Sequence, residues 1–249
     1  MNWIRLDWTT SLSLFTDSSI ATKFDGCFSG LSRVMVEGSD AALPIRDLSI
    51  GDRVLSLDVA TGSLRYDDVV AFLHRSGDES AYFHRLEAEN DVTIHVTPSH
   101  LLFSADLEGS VLTSAEAVPA SDVTEGRYIF VAMGNASSVS AVKVRHVRVM
   151  RDVGVYAPLT RTGTIVVDGV IASCYAVFQS HDVAHVAMAP LRLAYYVTGL
   201  VGSRDARENV TSSSSVHWYA ELLLRVTQRL VPAMFHGERY LDTQSISAD

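Results

Sequence analysis

The chain has 249 residues, enough for one large or two small domains, and 47% hydrophobic with 20% charged residues is a globular composition. Its 20 Lys and Arg against 29 Asp and Glu leave a formal net charge of −9, which argues against nucleic acid as the main partner and against charge-driven attachment to anionic lipid. The 2 cysteines make neither a disulfide scaffold nor a four-thiolate zinc site, and the longest run free of Asp, Glu, Lys and Arg, Tyr128 to Val142, has only 15 residues, too few for a spanning helix.

Residues 1 to 25 are rich in Ser and Thr without a sustained period, and read as a tail or linker. Arg5 and Asp7 interrupt any signal-peptide core there. From Gly26 to about Phe178 short runs of Val, Ile, Phe and Tyr alternate with turn residues. The runs are Arg53 to Leu57, Val92 to Val96, Tyr128 to Val131, Val142 to Arg145 and Gly163 to Val167; the turns are Ala60 to Ser63, Glu108 to Ser110, Gly134-Asn135 and Asp168-Gly169. Many short strands at this spacing predict an all-β domain.

This domain carries an internal repeat. Leu43-Pro44-Ile45-Arg46-Asp47-Leu48-Ser49-Ile50-Gly51 matches Val118-Pro119-Ala120-Ser121-Asp122-Val123-Thr124-Glu125-Gly126, with Pro44 and Pro119 75 positions apart. Val70 to His74 against Val142 to His146, and Thr93-Ile94 against Thr164-Ile165, recur at similar offsets. A period this long, seen twice, predicts duplication into two related β subdomains rather than a solenoid.

Past Phe178 the texture becomes helical. Val183 to Val201 is apolar, with Pro190 as a break or first-turn residue. Gly202 to Ser215 reads as a loop, and Val216, Ala220, Leu223, Val226 and Leu230 follow helical spacing. The expected arrangement is a helical pair appended to the β domain and separate from its core.

Three segments hold residues able to do chemistry. In Gly26-Cys27-Phe28 the thiol can attack the carbonyl of the residue before it, an N-to-S acyl shift. That reaction needs a reachable thiol, an acyl residue without a side chain, and a proton donor for the departing nitrogen. A buried cysteine serving as a small hydrophobe is the plainer alternative. In Thr97-Pro98-Ser99-His100, directly after a strand, a hydroxyl and an imidazole three apart can point into one site; a turn with a surface histidine is the alternative. Ala172-Ser173-Cys174-Tyr175-Ala176 closes the last predicted strand, where core packing accounts for Cys174. Separately, His181-Asp182-Val183-Ala184-His185 has the i, i+4 histidines of a zinc hydrolase, but with Asp in place of Glu and no evident third ligand.

Gly26-Cys27-Phe28, Leu48 to Ser56, Val96 to Leu101, Ala157 to Arg161, Gly163 to Val167 and Ala172 to Ala176, in that order, resemble the C-terminal autoprocessing domain of Hedgehog proteins, which shares the Hint fold with inteins. Ala189 to Arg192 and His217 to Ala220 resemble the sterol-recognition region of that family, and Asp17 to Ala21 the end of its signalling domain. The resemblance implies a Hint fold of two pseudo-symmetric β subdomains in residues 27–178, a signalling-domain remnant in 1–26 and a helical sterol-recognition-like region in 179–249. It implies Cys27 as the nucleophile that forms a thioester with Gly26, His100 as the donor to the leaving nitrogen, and Thr97 as the hydroxyl that orients the scissile bond. Cys174 matches a site-adjacent cysteine that can pair with Cys27 on oxidation. A sterol hydroxyl, such as that of cholesterol, then takes the acyl group as co-substrate, with no other cofactor and no metal.

One position departs from the family pattern. Where the family carries Asp in a Phe-x-Asp-Arg motif, this chain has Phe72-Leu73-His74-Arg75. His74 is therefore expected to replace the carboxylate as base for the sterol hydroxyl, an imidazole being competent near neutral pH. Hydrolysis, a non-sterol acceptor, or a non-catalytic sterol- or partner-binding module are the alternatives. The resemblance further implies a fragment of a secretory precursor, with its own N-terminal segment as substrate and membrane association through the C-terminal region.

Overall fold

A computed structural model describes residues 26–134, 138–176 and 181–201. Its strands are β1 (Phe28–Ser29), β2 (Arg33–Val34), β3 (Leu43–Pro44), β4 (Arg53–Asp58), β5 (Ser63–Ala88), β6 (Thr93–Val96), β7 (Leu101–Ala105), β8 (Glu116–Pro119), β9 (Tyr128–Met133), β10 (Ser138–Thr160), β11 (Thr164–Val167) and β12 (Val170–Ser173). Two helices follow, α1 (His181–Ala187) and α2 (Ala189–Val201). The all-β expectation for the domain holds, and so do the strands read at Arg53, Thr93, Tyr128 and Thr164.

Side-chain alternation is visible in β6, which lies between β1 and β5. In β6, Ile94 and Val96 are buried while Thr93 and His95 are half-buried. The apolar runs of β11 and β12 are buried on both faces, as inner strands must be. The long strands β5 and β10 pair antiparallel from Val144↔Ala88 to Thr160↔Val69 and form the spine of the molecule. β4 pairs with the start of β5, and β9 with the start of β10.

The repeat is structural. Each Pro is followed by a 3-10 turn, Ile45–Asp47 in one half and Ala120–Asp122 in the other. Gly51 and Gly126 then take φ of 94° and 95°, a region that favours glycine. Gly51 N–H donates to the Val69 carbonyl at 2.8 Å, and Gly126 N–H to the Val144 carbonyl at 2.9 Å. The structural partner of Val69 is therefore Val144, at the offset of the proline pair. The pairing of Val70 with Val142 read from sequence is three residues out of register, because it matched side-chain types along a long strand where many positions look alike.

One large hydrophobic cluster joins both halves through Phe28, Leu48, Phe83, Leu86, Ile94, Leu102, Ile129 and Leu159. Ala184 of α1, Met188 between the helices, and Leu191 and Tyr195 of α2 belong to the same cluster. The expectation that the segment after Phe178 lies apart from the β core is thus corrected for residues 181–201: their apolar stripe is too large to leave uncovered and docks on the sheet. Pro190 sits in the first turn of α2, where its missing N–H is tolerated. Val186, Leu193 and Val197 face outward. No described helix is long and apolar enough to cross a membrane. The helix expected at Val216 to Leu230 and the motifs at Asp17 and His217 lie outside the described residues.

Candidate active site

β1 pairs on one side with β10, Phe28↔Tyr156, and on the other with β6, Phe28↔Val96. This pairing brings Cys27, one residue before β1, against Thr97, one residue after β6. The Cys27 amide donates to Thr97 Oγ1 at 2.8 Å, and the Thr97 amide donates to the Cys27 carbonyl at 2.9 Å. Thr97 Oγ1 also reaches that carbonyl at 3.3 Å. The threonine thus grips the residue on the leaving side of the Gly26–Cys27 bond by its nitrogen and its carbonyl.

Pro98 occupies the corner of a turn that the His100 amide closes on the Thr97 carbonyl at 3.1 Å. His100 is fully buried, with its ring 4.2 Å from that of Phe28. Its Nε2 donates to the Ser173 carbonyl at 2.8 Å, and the Gly26 backbone lies on the side of its buried Nδ1. Burial pushes the His100 pKa down to about 4, opposed by the backbones of Gly26 and Ser173. The imidazole is therefore neutral near pH 7.

Gly26 packs face to face with Ala176. A Cβ at residue 26 would lie 1.9 Å from the Ala176 Cβ, so no other residue fits there without movement. The absent side chain, expected on chemical grounds, has a packing cause as well.

The thiol of Cys27 is buried, with Sγ 3.7 Å from His74 Nδ1. The other nitrogen of His74, Nε2, lies 2.8 Å from Glu79 Oε2. Phe72 is buried beside this histidine and Arg75 stacks over its ring at 4.6 Å, so the two flanking residues of the motif hold the strand in place. The neighbouring carboxylate Asp67 has a different task. It is buried and committed to Arg161 Nε at 2.9 Å and the Thr162 amide at 2.7 Å.

Five expected residues, Gly26, Cys27, His74, Thr97 and His100, therefore converge on one bond. Cys174, one residue after β12, lies in the same buried cluster as Cys27. Its Sγ lies 3.6 Å from Thr160 Oγ1, and burial pushes its pKa up to about 12, so it is a neutral thiol near pH 7. Neither cysteine is in a disulfide. Glu79 and Ala176 were not singled out from sequence. Residues five apart on an unbroken strand face opposite ways, so Glu79 gives no sign of reaching His74. Gly77 between them was the available signal, since an isolated glycine in a strand suggests a bulge.

The two histidines of the zinc-like motif anchor α1 instead. His181 Nδ1 meets Ser173 Oγ at 2.9 Å, and His185 Nδ1 meets the Tyr175 hydroxyl at 2.9 Å. Their rings stack 5.9 Å apart. Burial, with His185 alongside, pushes His181 down to about 4. Among the described residues no group of three His, Cys, Asp or Glu is placed to hold a metal ion.

The fold, two pseudo-symmetric β halves with a thiol at the head of the first strand, is that of the inteins. A mutant of an Ssp DnaB mini-intein variant superposes with a TM-score of 0.51 at 14% identity, covering 61% of this chain and 92% of that one. The model of the Hint module family matches residues 15–232, and the chain belongs to that family. Among its relatives, Sonic hedgehog protein of Xenopus laevis is 40% identical over 195 residues, 78% of this chain and 43% of that protein. Indian hedgehog protein of Gallus gallus is 37% identical over 221 residues, 88% of this chain and 52% of that protein. Protein hedgehog of Drosophila melanogaster is 35% identical over 227 residues, 88% and 47% respectively. The chain spans about half the length of the hedgehog proteins it matches.

Proposed function

We propose that this chain cleaves itself between Gly26 and Cys27 and passes the freed acyl group to a sterol hydroxyl. The observation that carries the reading is the convergence on that one peptide bond of a buried thiol, a threonine bound to the leaving nitrogen, and a buried histidine. Cys27 sulfur adds to the Gly26 carbonyl carbon, the carbon–nitrogen bond breaks, and the nitrogen takes up a proton. His100 suits that last transfer: an imidazolium disfavoured by burial is a strong acid toward an amine. Thr97 holds the nitrogen in place during the exchange.

In the second step an alcohol attacks the thioester and releases the Cys27 thiol, leaving an ester on Gly26. The hedgehog relatives support a Hedgehog-type precursor as the substrate, and so a secretory setting with the processed fragment at the cell membrane or outside. The outward apolar residues Val186, Leu193 and Val197 support membrane or sterol contact through the C-terminal region. The test is intact mass spectrometry after incubation with cholesterol and, separately, with dithiothreitol. A fragment ending at Gly26, heavier by the sterol in the first sample and by the thiol in the second, supports the reading. Release with thiol alone refutes sterol transfer while keeping the thioester; a hydrolysed fragment in the sterol sample makes water the acceptor.

A further inference from the structure

The bond between β5 and β10 is interrupted near the thiol. Ser76 pairs with Val155 and Ser80 with Val153, so four steps along β5 oppose two along β10. Gly77, Asp78 and Glu79 face Gly154 alone, an excess of two residues, and Gly154 takes a φ of 89°. Such a bulge bends the strand and re-aims its side chains. Here it returns Glu79 onto the ring of His74, whose far nitrogen faces Cys27.

We propose that Glu79 is a positioning residue: its carboxylate accepts the Nε2 proton of His74 and so presents the Nδ1 lone pair of that ring to the Cys27 thiol. The inference rests on the cleavage reading above and assigns His74 to the first step as well as to acceptor activation. A neutral imidazole carries one N–H, and a carboxylate can only accept, so the 2.8 Å contact fixes that proton on Nε2. Nδ1 is then an acceptor 3.7 Å from Sγ, a distance suited to an S–H donor. The Cys27 S–H bond breaks and its proton moves to Nδ1. The sulfur electron pair forms the bond to the Gly26 carbonyl carbon, the bond to the Cys27 nitrogen breaks, and that nitrogen takes a proton from His100, which is neutral at rest and first gains that proton from water. The thiol proton passes to His74 and from there to water, and one proton from water passes through His100 to the amine, so both rings end neutral as they began. The imidazolium formed at His74 sits against the Glu79 carboxylate, which stabilises it. Nucleophile, base and orienting acid thus stand in line, the arrangement that activates thiols and hydroxyls on unrelated folds.

Two measurements test this on the full chain. The first is the rate of dithiothreitol-dependent release of the N-terminal piece at neutral pH. Glu79→Ala is expected to slow it about 10-fold or more, a share of the roughly 10²–10⁴-fold that a positioned base supplies. An unchanged rate overturns the proposal. The second reads the His74 tautomer by nitrogen NMR of histidine-labelled Cys27→Ala protein, which cannot cleave. The proton is expected on Nε2, and in Cys27→Ala/Glu79→Ala it becomes shared between both nitrogens. A proton on Nδ1 with Glu79 present overturns the proposal, and this measurement decides even if Glu79→Ala alone does not fold. Failure of the underlying reading looks different: the unmodified chain does not cleave, or Cys27→Ala still does.

Discussion

Lowering the pH from 7 to 4 should weaken the fold in part through His100. Its pKa is 6.5 when free and about 4 in the folded chain, because burial disfavours the charged ring. Below pH 6.5 the unfolded chain binds a proton that the folded chain refuses. The stability is therefore intact above that pH, declines as pH falls toward 4, and levels off below it. At about 1.4 kcal/mol per pKa unit, the loss attributable to His100 is about 3 kcal/mol. The assay is urea unfolding of Cys27→Ala protein from pH 7 to pH 4, beside the same protein carrying His100→Gln. His100→Gln lowers stability at every pH but should flatten the decline by that amount, leaving the shares due to His181, also held near 4 by burial, and to His84, His95 and His185, which burial also pushes down. Equal declines in the two proteins refute the burial argument, and with it the view of His100 as a neutral resting imidazole.

Gly26→Ala drives a methyl group into Ala176 and should cost about 1–3 kcal/mol of packing while slowing cleavage; Ala176→Gly in the same chain should recover much of the rate in a time course by mass. Thr97→Val removes the acceptor for the Cys27 amide, and the first step should fall by about 1–3 kcal/mol in rate terms, with Thr97→Ser largely spared. Leu191→Ala should lower stability by about 2–5 kcal/mol in urea unfolding, because its side chain fills the common core, and a chain ending at Phe178 should be less stable still. Independence of stability from Leu191 would return the helices to the detached arrangement expected from sequence.

The β elements were legible because their signals are local. Gly51 and Gly126 mark equivalent turns, and the two apolar-Pro segments end in equivalent 3-10 turns. Cys27, Thr97 and His100 were legible through motif order, although their contacts depend on β1 lying between β6 and β10, which no spacing reveals. The docking of α1 and α2 was missed because amphipathic spacing says that a helix has an apolar face, not what covers it. Glu79 was missed for a stronger reason. Strand periodicity places it away from His74, and only the two-residue bulge opposite Gly154 reverses that. His74 itself was expected at the second step; its 3.7 Å approach to Cys27 Sγ adds a use in the first.

Both proposed steps pass through a thioester between Gly26 and Cys27. Hydroxylamine attacks thioesters and leaves ordinary peptide bonds intact, so intact mass after its addition reads that bond directly. The unmodified chain should release residues 1–26 as a hydroxamate, and Cys27→Ala should release nothing. A fragment ending elsewhere, or the same fragment from Cys27→Ala, would contradict the account.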